Sequence, residues 1–238
     1  MSRCRTPRAT DRLKAMRRSY PSHMLSTTNL RRVARAAAKV PIASEARVDD
    51  NLGTCLVTTV VDFQMHATAV SRALAHFEND PAHRASTLGE FERLIIRYPN
   101  TKRGNEKLAQ DLLGYAMWTR MGLLRALVRF LLDEGVGDLT ALRAWAERSD
   151  FRRDFQGRVQ YTAAGRTFGL GPAVYSWLVM RVGIETLKPD ERLHRFVETA
   201  IGHRASDSDV ASAIVAAAAG LGVSPRQLHW SICQEMRE

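Results

Sequence analysis

The sequence of 238 residues contains only three cysteines, Cys4, Cys55 and Cys233, and none of them belongs to a Cys-x-x-Cys pair. Scattered thiols of this kind indicate a reducing compartment and exclude a disulfide framework. No apolar run approaches the roughly 20 residues that a membrane-spanning helix requires. The composition therefore predicts a soluble protein with no membrane partner.

Recognisable motifs for metal binding and for nucleophilic catalysis are also absent. Four histidines lack the close pairing with cysteine or carboxylate that zinc ligands usually show: His66, His194, His203 and His229. Ser176, Ser231 and Cys233 stand in no known nucleophile motif. The sequence thus predicts no metal site.

Acidic residues are scarce at the start of the chain. Residues 1–48 hold 12 Lys/Arg and 2 Asp/Glu, whereas the remaining residues hold 23 of each, so the net charge of +10 belongs to the N-terminal segment. Three interpretations stay open for this basic, flexible arm. It is a cationic tail that adds salt-sensitive DNA affinity, a transit peptide, or the result of a gene start placed upstream of Met16 or Met24.

The body, residues 49–238, has the pattern of an all-α domain. Apolar side chains recur at helical spacing over 57–79 and 117–133. Thr87 with Glu90 three residues later forms a capping box. We expect about ten helices in all. Those after residue 190 are expected over 191–202, 208–220 and 225–236.

The most informative stretch is residues 167–195, which begins with a Gly-Leu-Gly-Pro turn at Gly169–Pro172. Glycine lacks a Cβ, so the backbone can turn tightly and approach another chain closely. Pro172 suits the first position of a helix, and the free N–H groups of that helix start can bind a phosphate oxygen. Asp190 follows about twenty residues later, directly after Pro189. The combination predicts a backbone grip on DNA with a carboxylate nearby.

This stretch resembles the helix-hairpin-helix DNA glycosylase superfamily, the group of endonuclease III and alkyladenine glycosylase. Gly169, Leu170 and Gly171 match the Gly-hydrophobic-Gly hairpin of that family, which places the hairpin element at about 160–182. Asp190 matches the catalytic aspartate. The run after it also fits, with its apolar and arginine positions occupied by Leu193, Arg195 and Phe196. The resemblance extends over residues 55–238, and its specific part is the portion from hairpin to aspartate.

The resemblance implies a two-lobed helical fold with a cleft between the lobes. It further implies a monofunctional DNA glycosylase that flips a damaged, modified or mispaired base out of double-stranded DNA and excises it with Asp190. The backbone from Gly169 to Ala173 would hold the DNA, with a monovalent cation shared between hairpin carbonyls and a phosphate. We expect a monomer in the bacterial cytoplasm, associated with the nucleoid.

Three departures from the family pattern refine these expectations. Ala173 stands where bifunctional members carry a lysine, so Schiff-base lyase chemistry is not expected. Three cysteines cannot form the four-cysteine iron–sulfur cluster, and no other cofactor is expected. Glu191 and Arg192 replace the Thr-His pair that commonly follows the aspartate. This last change leaves open a non-catalytic DNA-binding protein that keeps the hairpin, and a helical protein–protein adaptor is a third possibility.

Each candidate residue also has a structural alternative. Gln64 matches a glutamine that the family often carries on an early helix, where it would fill the gap left by a flipped base, but it could equally be a solvated or capping side chain. Tyr115 and Trp118 are candidates for a base pocket, with core packing as the alternative. Asp190 after proline is a good helix N-cap, worth roughly 1 kcal/mol, and the capping and catalytic roles are compatible.

Overall fold

The computed structural model of the chain describes residues 25–44, 48–62, 65 and 67–236. These residues are mostly helical, which confirms the all-α fold class apart from one β-hairpin. The α-helices are α1 Thr27–Ala37, α2 Leu52–Val61, α3 Ala67–Asn79, α4 Leu88–Ile96, α5 Lys102–Leu113, α6 Trp118–Asp133, α7 Leu139–Arg148, α8 Pro172–Arg181, α9 Glu191–Ile201, α10 Asp207–Leu221 and α11 Pro225–Glu235. The other elements are a 3-10 turn at Pro81–His83, a π-helical turn at Phe151–Phe155, and strands β1 Gln160–Ala163 and β2 Arg166–Gly169.

The chain divides into two compact units. The central unit comprises residues 47–184 and contains α2 to α8 and the β-hairpin. Among the described residues, the terminal unit combines residues 25–44 with residues 185–236 and contains α1 and α9 to α11. Each unit has a hydrophobic core of its own, so each buries the apolar faces of its own helices.

The predicted helical block over 57–79 is two helices, because α2 ends at Val61 and α3 starts at Ala67. All ten residues of α2 are buried. A helix that is buried on every side lacks the polar face from which amphipathic periodicity is recognised. The sequence pattern therefore missed both the start of α2 and the break after it.

Helix α1 corrects the expected boundary between arm and body. Val33 and Ala37 are fully buried in the core of the terminal unit, where α1 packs against α9 and α10. The segment over 27–37 is therefore folded, and its basic side chains Arg31 and Arg35 lie on the exposed face. Residues 1–24 lie outside the described residues, so the interpretation of that part as a cationic tail stays a prediction.

The segment from 160 to 169 corrects the expected helix-hairpin-helix element at about 160–182. It forms an antiparallel pair of strands in which Gln160 lies opposite Gly169 and Ala163 opposite Arg166. Ala164 and Gly165 both have positive φ, 49° and 72°, which suits a two-residue turn between twisted strands. Only the second helix of the expected element, α8 beginning at Pro172, is as predicted.

A buried ion pair fixes the end of α8 within the central unit. The guanidinium of Arg181 donates to both carboxylate oxygens of Asp49, and the Asp49 N–H donates to the Arg181 carbonyl over 2.8 Å. Cys55 lies beside this pair, and its burial, followed by the Asp49 charge, raises the pKa of its thiol to about 12. The pair satisfies two charges that would otherwise be buried alone.

Among the described residues, no single helix is both long and apolar enough to cross a membrane. Helices α10 and α11 reach that length and apolarity only when taken together, across a bend of 103°.

The position of α1 in the core leads to a stability prediction. We expect Val33→Ala to lower the free energy of unfolding by about 2 kcal/mol, because it removes two buried methyl groups and leaves a cavity. Arg31→Ala, on the exposed face of the same helix, should change it by less than about 0.5 kcal/mol. Urea denaturation monitored by circular dichroism measures both, and equal effects would contradict the placement of α1 in the core.

Candidate functional site

The glycine turn joins β2 to α8 in the central unit. Leu170 anchors the turn, since its side chain is buried and its N–H donates to the Val159 carbonyl over 3.2 Å. Gly171 is the N-cap of α8 with extended backbone angles (φ −90°, ψ −173°), and Pro172 occupies the first turn. Because Gly171 has no side chain to cap the helix, the N–H groups at the start of α8 have no side-chain cap.

The backbone conformation at the two glycines of the turn does not require glycine. Neither Gly169 nor Gly171 has a positive φ. A Cβ added to Gly171 would meet nothing within 4 Å, and one added to Gly169 would make only ordinary contacts. A tight turn therefore does not explain the two glycines. The open space above Gly171 is compatible with close approach by another molecule.

Asp190 is the N-cap of α9 in the terminal unit. Its Oδ1 accepts the backbone N–H groups of Arg192 and Leu193, both over 3.1 Å. The side chain is half-buried, and Oδ2 accepts no hydrogen bond from the described residues. The capping role is thus confirmed, and it leaves one oxygen of the carboxylate for other chemistry.

Two further side chains of the terminal unit come close to this carboxylate. A carboxylate oxygen of Asp190, a ring nitrogen of His229 and the Sγ of Cys233 all lie within 4.8 Å of one another. His229 and Cys233 are four residues apart on α11, so they lie on one face of that helix. Both are buried, at 1% and 7% exposure. The sequence pattern does not reveal this cluster, because His-x-x-x-Cys is no established zinc motif and Asp190 caps another helix.

Burial keeps the two neighbours of Asp190, His229 and Cys233, uncharged at neutral pH. It lowers the pKa of His229 to about 4, and the positive charges of Lys188 and Arg192 act in the same direction against the opposing Asp190. Burial and then the Asp190 charge raise the pKa of the Cys233 thiol to about 12, although the positive charges of Arg192 and Lys188 oppose them. The cluster is therefore not an activated thiolate nucleophile in this state, since the thiol keeps its proton.

The remaining predicted site residues have structural partners where the structure describes them. The Tyr115 hydroxyl donates to the Met65 Sδ over 3.5 Å, and its ring packs against the core of the central unit. The Trp118 ring meets Tyr161 edge-on, with centroids 6.2 Å apart. These contacts support the core-packing alternative, so the base pocket stays a prediction. Gln64 lies outside the described residues.

Sequence similarity places the chain in a family. Residues 32–237 match a family described as a domain of unknown function, DUF8548. The chain belongs to this family. No curated protein and no solved structure matches it. The matched region of the DUF8548 chain contains both the glycine turn and Asp190 with its two neighbours.

The neutral state of His229 leads to a pH prediction for this DUF8548 protein. With a chelator in the buffer, we expect its unfolding free energy to fall as pH drops from 6.5 towards 4. The reason is that the His229 ring takes up a proton near pH 6.5 in the unfolded chain and only near pH 4 in the folded chain. Well above pH 6.5 the ring is neutral in both states and contributes no pH dependence.

The matched variant is His229→Gln, which removes the titrating ring. Its unfolding free energy should fall less than that of the wild type between about pH 7.5 and about pH 5. Urea unfolding at the two pH values measures the difference. Parallel losses in the two proteins would show that His229 is not a buried neutral histidine.

Proposed function

We propose that the chain is a monofunctional DNA glycosylase that excises a damaged, modified or mispaired base from double-stranded DNA. The observation that carries the proposal is the geometry of Asp190, whose Oδ1 is fixed by two backbone N–H groups while Oδ2 accepts no hydrogen bond from the described residues. A carboxylate held in this way has one oxygen fixed and one available to face a reacting group.

The reaction needs such a group because breaking the N-glycosidic bond develops positive charge on the sugar. The enzyme would first extrude the target nucleotide from the base stack, since the bond is inaccessible inside a duplex. The Asp190 carboxylate would then stabilise the sugar cation and orient a water molecule that attacks it. Because the backbone already holds this carboxylate, little reorganisation is needed when the charge appears.

His229 supports this role by remaining neutral. A protonated imidazole beside Asp190 would form an ion pair with the carboxylate and weaken its attraction for a sugar cation. Burial lowers the pKa of His229 to about 4, so the ring is neutral at neutral pH and forms no ion pair with the carboxylate.

The glycine turn supports a role in holding the DNA backbone. Helix α8 starts without a side-chain cap, so the Ala173 N–H and the helix dipole favour a phosphate. The space above Gly171 is open, and the small side chain of Ala173 in the first turn leaves room for a sugar–phosphate chain. In the proposed complex the turn carbonyls share a monovalent cation with that phosphate. Such contacts fix position without reading sequence.

The two compact units agree with the two lobes that the resemblance implies, and Ala173 in place of a lysine supports hydrolysis without strand cleavage. The strands at 160–169 depart from the expected element. The proposed DNA contact therefore rests on the turn and α8 alone.

Replacing Asp190 by asparagine tests the chemistry. Asparagine also caps helices well, so Asp190→Asn should keep the fold while removing the charge. We expect abasic-site formation to slow by at least about 100-fold. The measurement uses duplexes carrying uracil, hypoxanthine, alkylated purines, oxidised bases or bulky modified bases, followed by alkali and strand analysis.

The matched control is Asp138→Asn. Asp138 caps α7 by accepting the Ala141 N–H over 2.8 Å, and no chemistry is assigned to it. Its variant should excise the base at the wild-type rate. Wild-type protein that binds duplex but releases no base would replace the proposal with a non-catalytic DNA-binding protein, and failure to bind duplex at low salt would point to a protein–protein adaptor.

An acidic side chain in the turn tests the DNA contact. Gly171→Asp should hold or raise the unfolding free energy by up to about 1 kcal/mol, because aspartate is a good N-cap with a charge suited to the helix start. The same charge repels a phosphate, so we expect duplex affinity to fall at least about tenfold at low salt. Fluorescence anisotropy with labelled duplex measures it.

The control Gly89→Asp makes the same charge change in the first turn of α4, where an added Cβ also meets nothing within 4 Å. Its affinity for duplex should stay within about twofold of the wild type. An equal loss in both variants would reveal a general charge effect and remove the turn from the proposed contact.

A further inference from the structure

We propose that Asp190, His229 and Cys233 form a binding site for a divalent metal ion of the zinc class. The three residues supply one oxygen, one nitrogen and one sulfur ligand from α11 and the start of α9. The inference does not depend on the proposed function, because metal binding is measured without DNA.

The distances suit a tetrahedral ion. The three ligand atoms lie within 4.8 Å of one another. Zinc bonds of about 2.0–2.3 Å place neighbouring ligand atoms roughly 3.5 Å apart, so small side-chain rotations close the site. His229 and Cys233 are already on the same face of one helix, which fixes two of the three ligands relative to each other.

The burial of His229 is a second and independent indication. Its side chain is 1% exposed, and its Nδ1 is buried without a hydrogen-bond partner among the described residues. Buried polar atoms in folded proteins normally have a partner, so an unpartnered ring nitrogen calls for an explanation. Zinc bound to one ring nitrogen, with the other donating its proton to a nearby acceptor, is the usual state of a histidine ligand.

The charges around the cluster are compatible with a divalent ion. Binding would convert the Cys233 thiol to a thiolate, which with the Asp190 carboxylate gives two negative charges against two positive ones. The positive charge of Arg192 opposes the rise in the pKa of the Cys233 thiol, so it favours a thiolate. Lys188 and Arg192 add positive charge near the cluster, and this charge repels cations that the three ligands bind only weakly.

The donor set also defines the chemical class of the ion. A sulfur ligand selects zinc, cobalt or cadmium over magnesium and calcium, which prefer oxygen. Three protein ligands leave the fourth position of a tetrahedral ion for water or another small ligand. Because the ion would engage the carboxylate that the proposed excision uses, the metal-bound and base-excising states exclude each other.

Cobalt titration tests the site directly. The parent chain for this test is the full chain carrying Cys4→Ser. It is stripped of metal with a chelator and titrated with Co²⁺, whose bond to a thiolate gives a charge-transfer absorption band. We expect one ion per chain, displaced by Zn²⁺ and unaffected by Mg²⁺. Cys233→Ser should abolish the band, and His229→Ala should weaken binding at least about 100-fold.

Cys55→Ser is the matched control, because Cys55 is also a buried thiol whose pKa is raised to about 12 but has no place in the cluster. It should bind cobalt like the parent chain. Where circular dichroism shows that Cys233→Ser is unfolded, Asp190→Asn, which retains the helix cap, provides the test and should weaken binding at least about tenfold.

The proposal is overturned if the parent chain shows no thiolate–cobalt band, binds less than one ion per chain, or keeps the band in a folded Cys233→Ser variant. Failure of base excision would leave these results unchanged, so the two proposals fail separately. If both hold, Zn²⁺ should slow base release by the parent chain and have no effect on the Cys233→Ser variant.

Discussion

One carboxylate oxygen closes the first turn of α9, and the candidate site depends on that contact. Oδ1 of Asp190 accepts two backbone N–H groups, which orients the side chain without the help of another side chain. Oδ2 accepts no hydrogen bond from the described residues, so the charges of the neighbouring side chains determine what it can bind. Burial of His229 keeps the adjacent ring neutral, so no imidazolium charge offsets the carboxylate at neutral pH.

The sequence predicted those features that neighbours along the chain determine. Pro172 at the start of α8 and Asp190 before α9 follow from capping rules that involve only the next few residues. The strands over 160–169 were missed because Ala164 with Gly165 is a weaker turn signal than Asn-Gly. The folded helix over 27–37 was missed because its three arginines outnumber its two buried apolar positions, which form a core only where α1 packs against α9 and α10.

The cluster around Asp190 shows what capping rules and periodicity cannot supply. His229 and Cys233 are separated from the aspartate by two helices, and only packing in the terminal unit brings the three together. Their proximity gives one carboxylate two alternative partners, a sugar cation in the proposed excision and a metal ion in the proposed site. The neutral imidazole and protonated thiol are compatible with the first, and loss of the thiol proton is needed for the second.

Affinity for a cationic sugar analogue measures most directly whether Asp190 stabilises a sugar cation. A duplex with a protonated pyrrolidine at an abasic position carries that charge, whereas a matched tetrahydrofuran duplex is neutral, and neither requires knowledge of the target base. We expect the wild type to bind the pyrrolidine duplex at least about 100-fold more tightly. The Asp190→Asn variant should bind the two alike. Equal affinities of the wild type for both duplexes would contradict a catalytic role for this carboxylate.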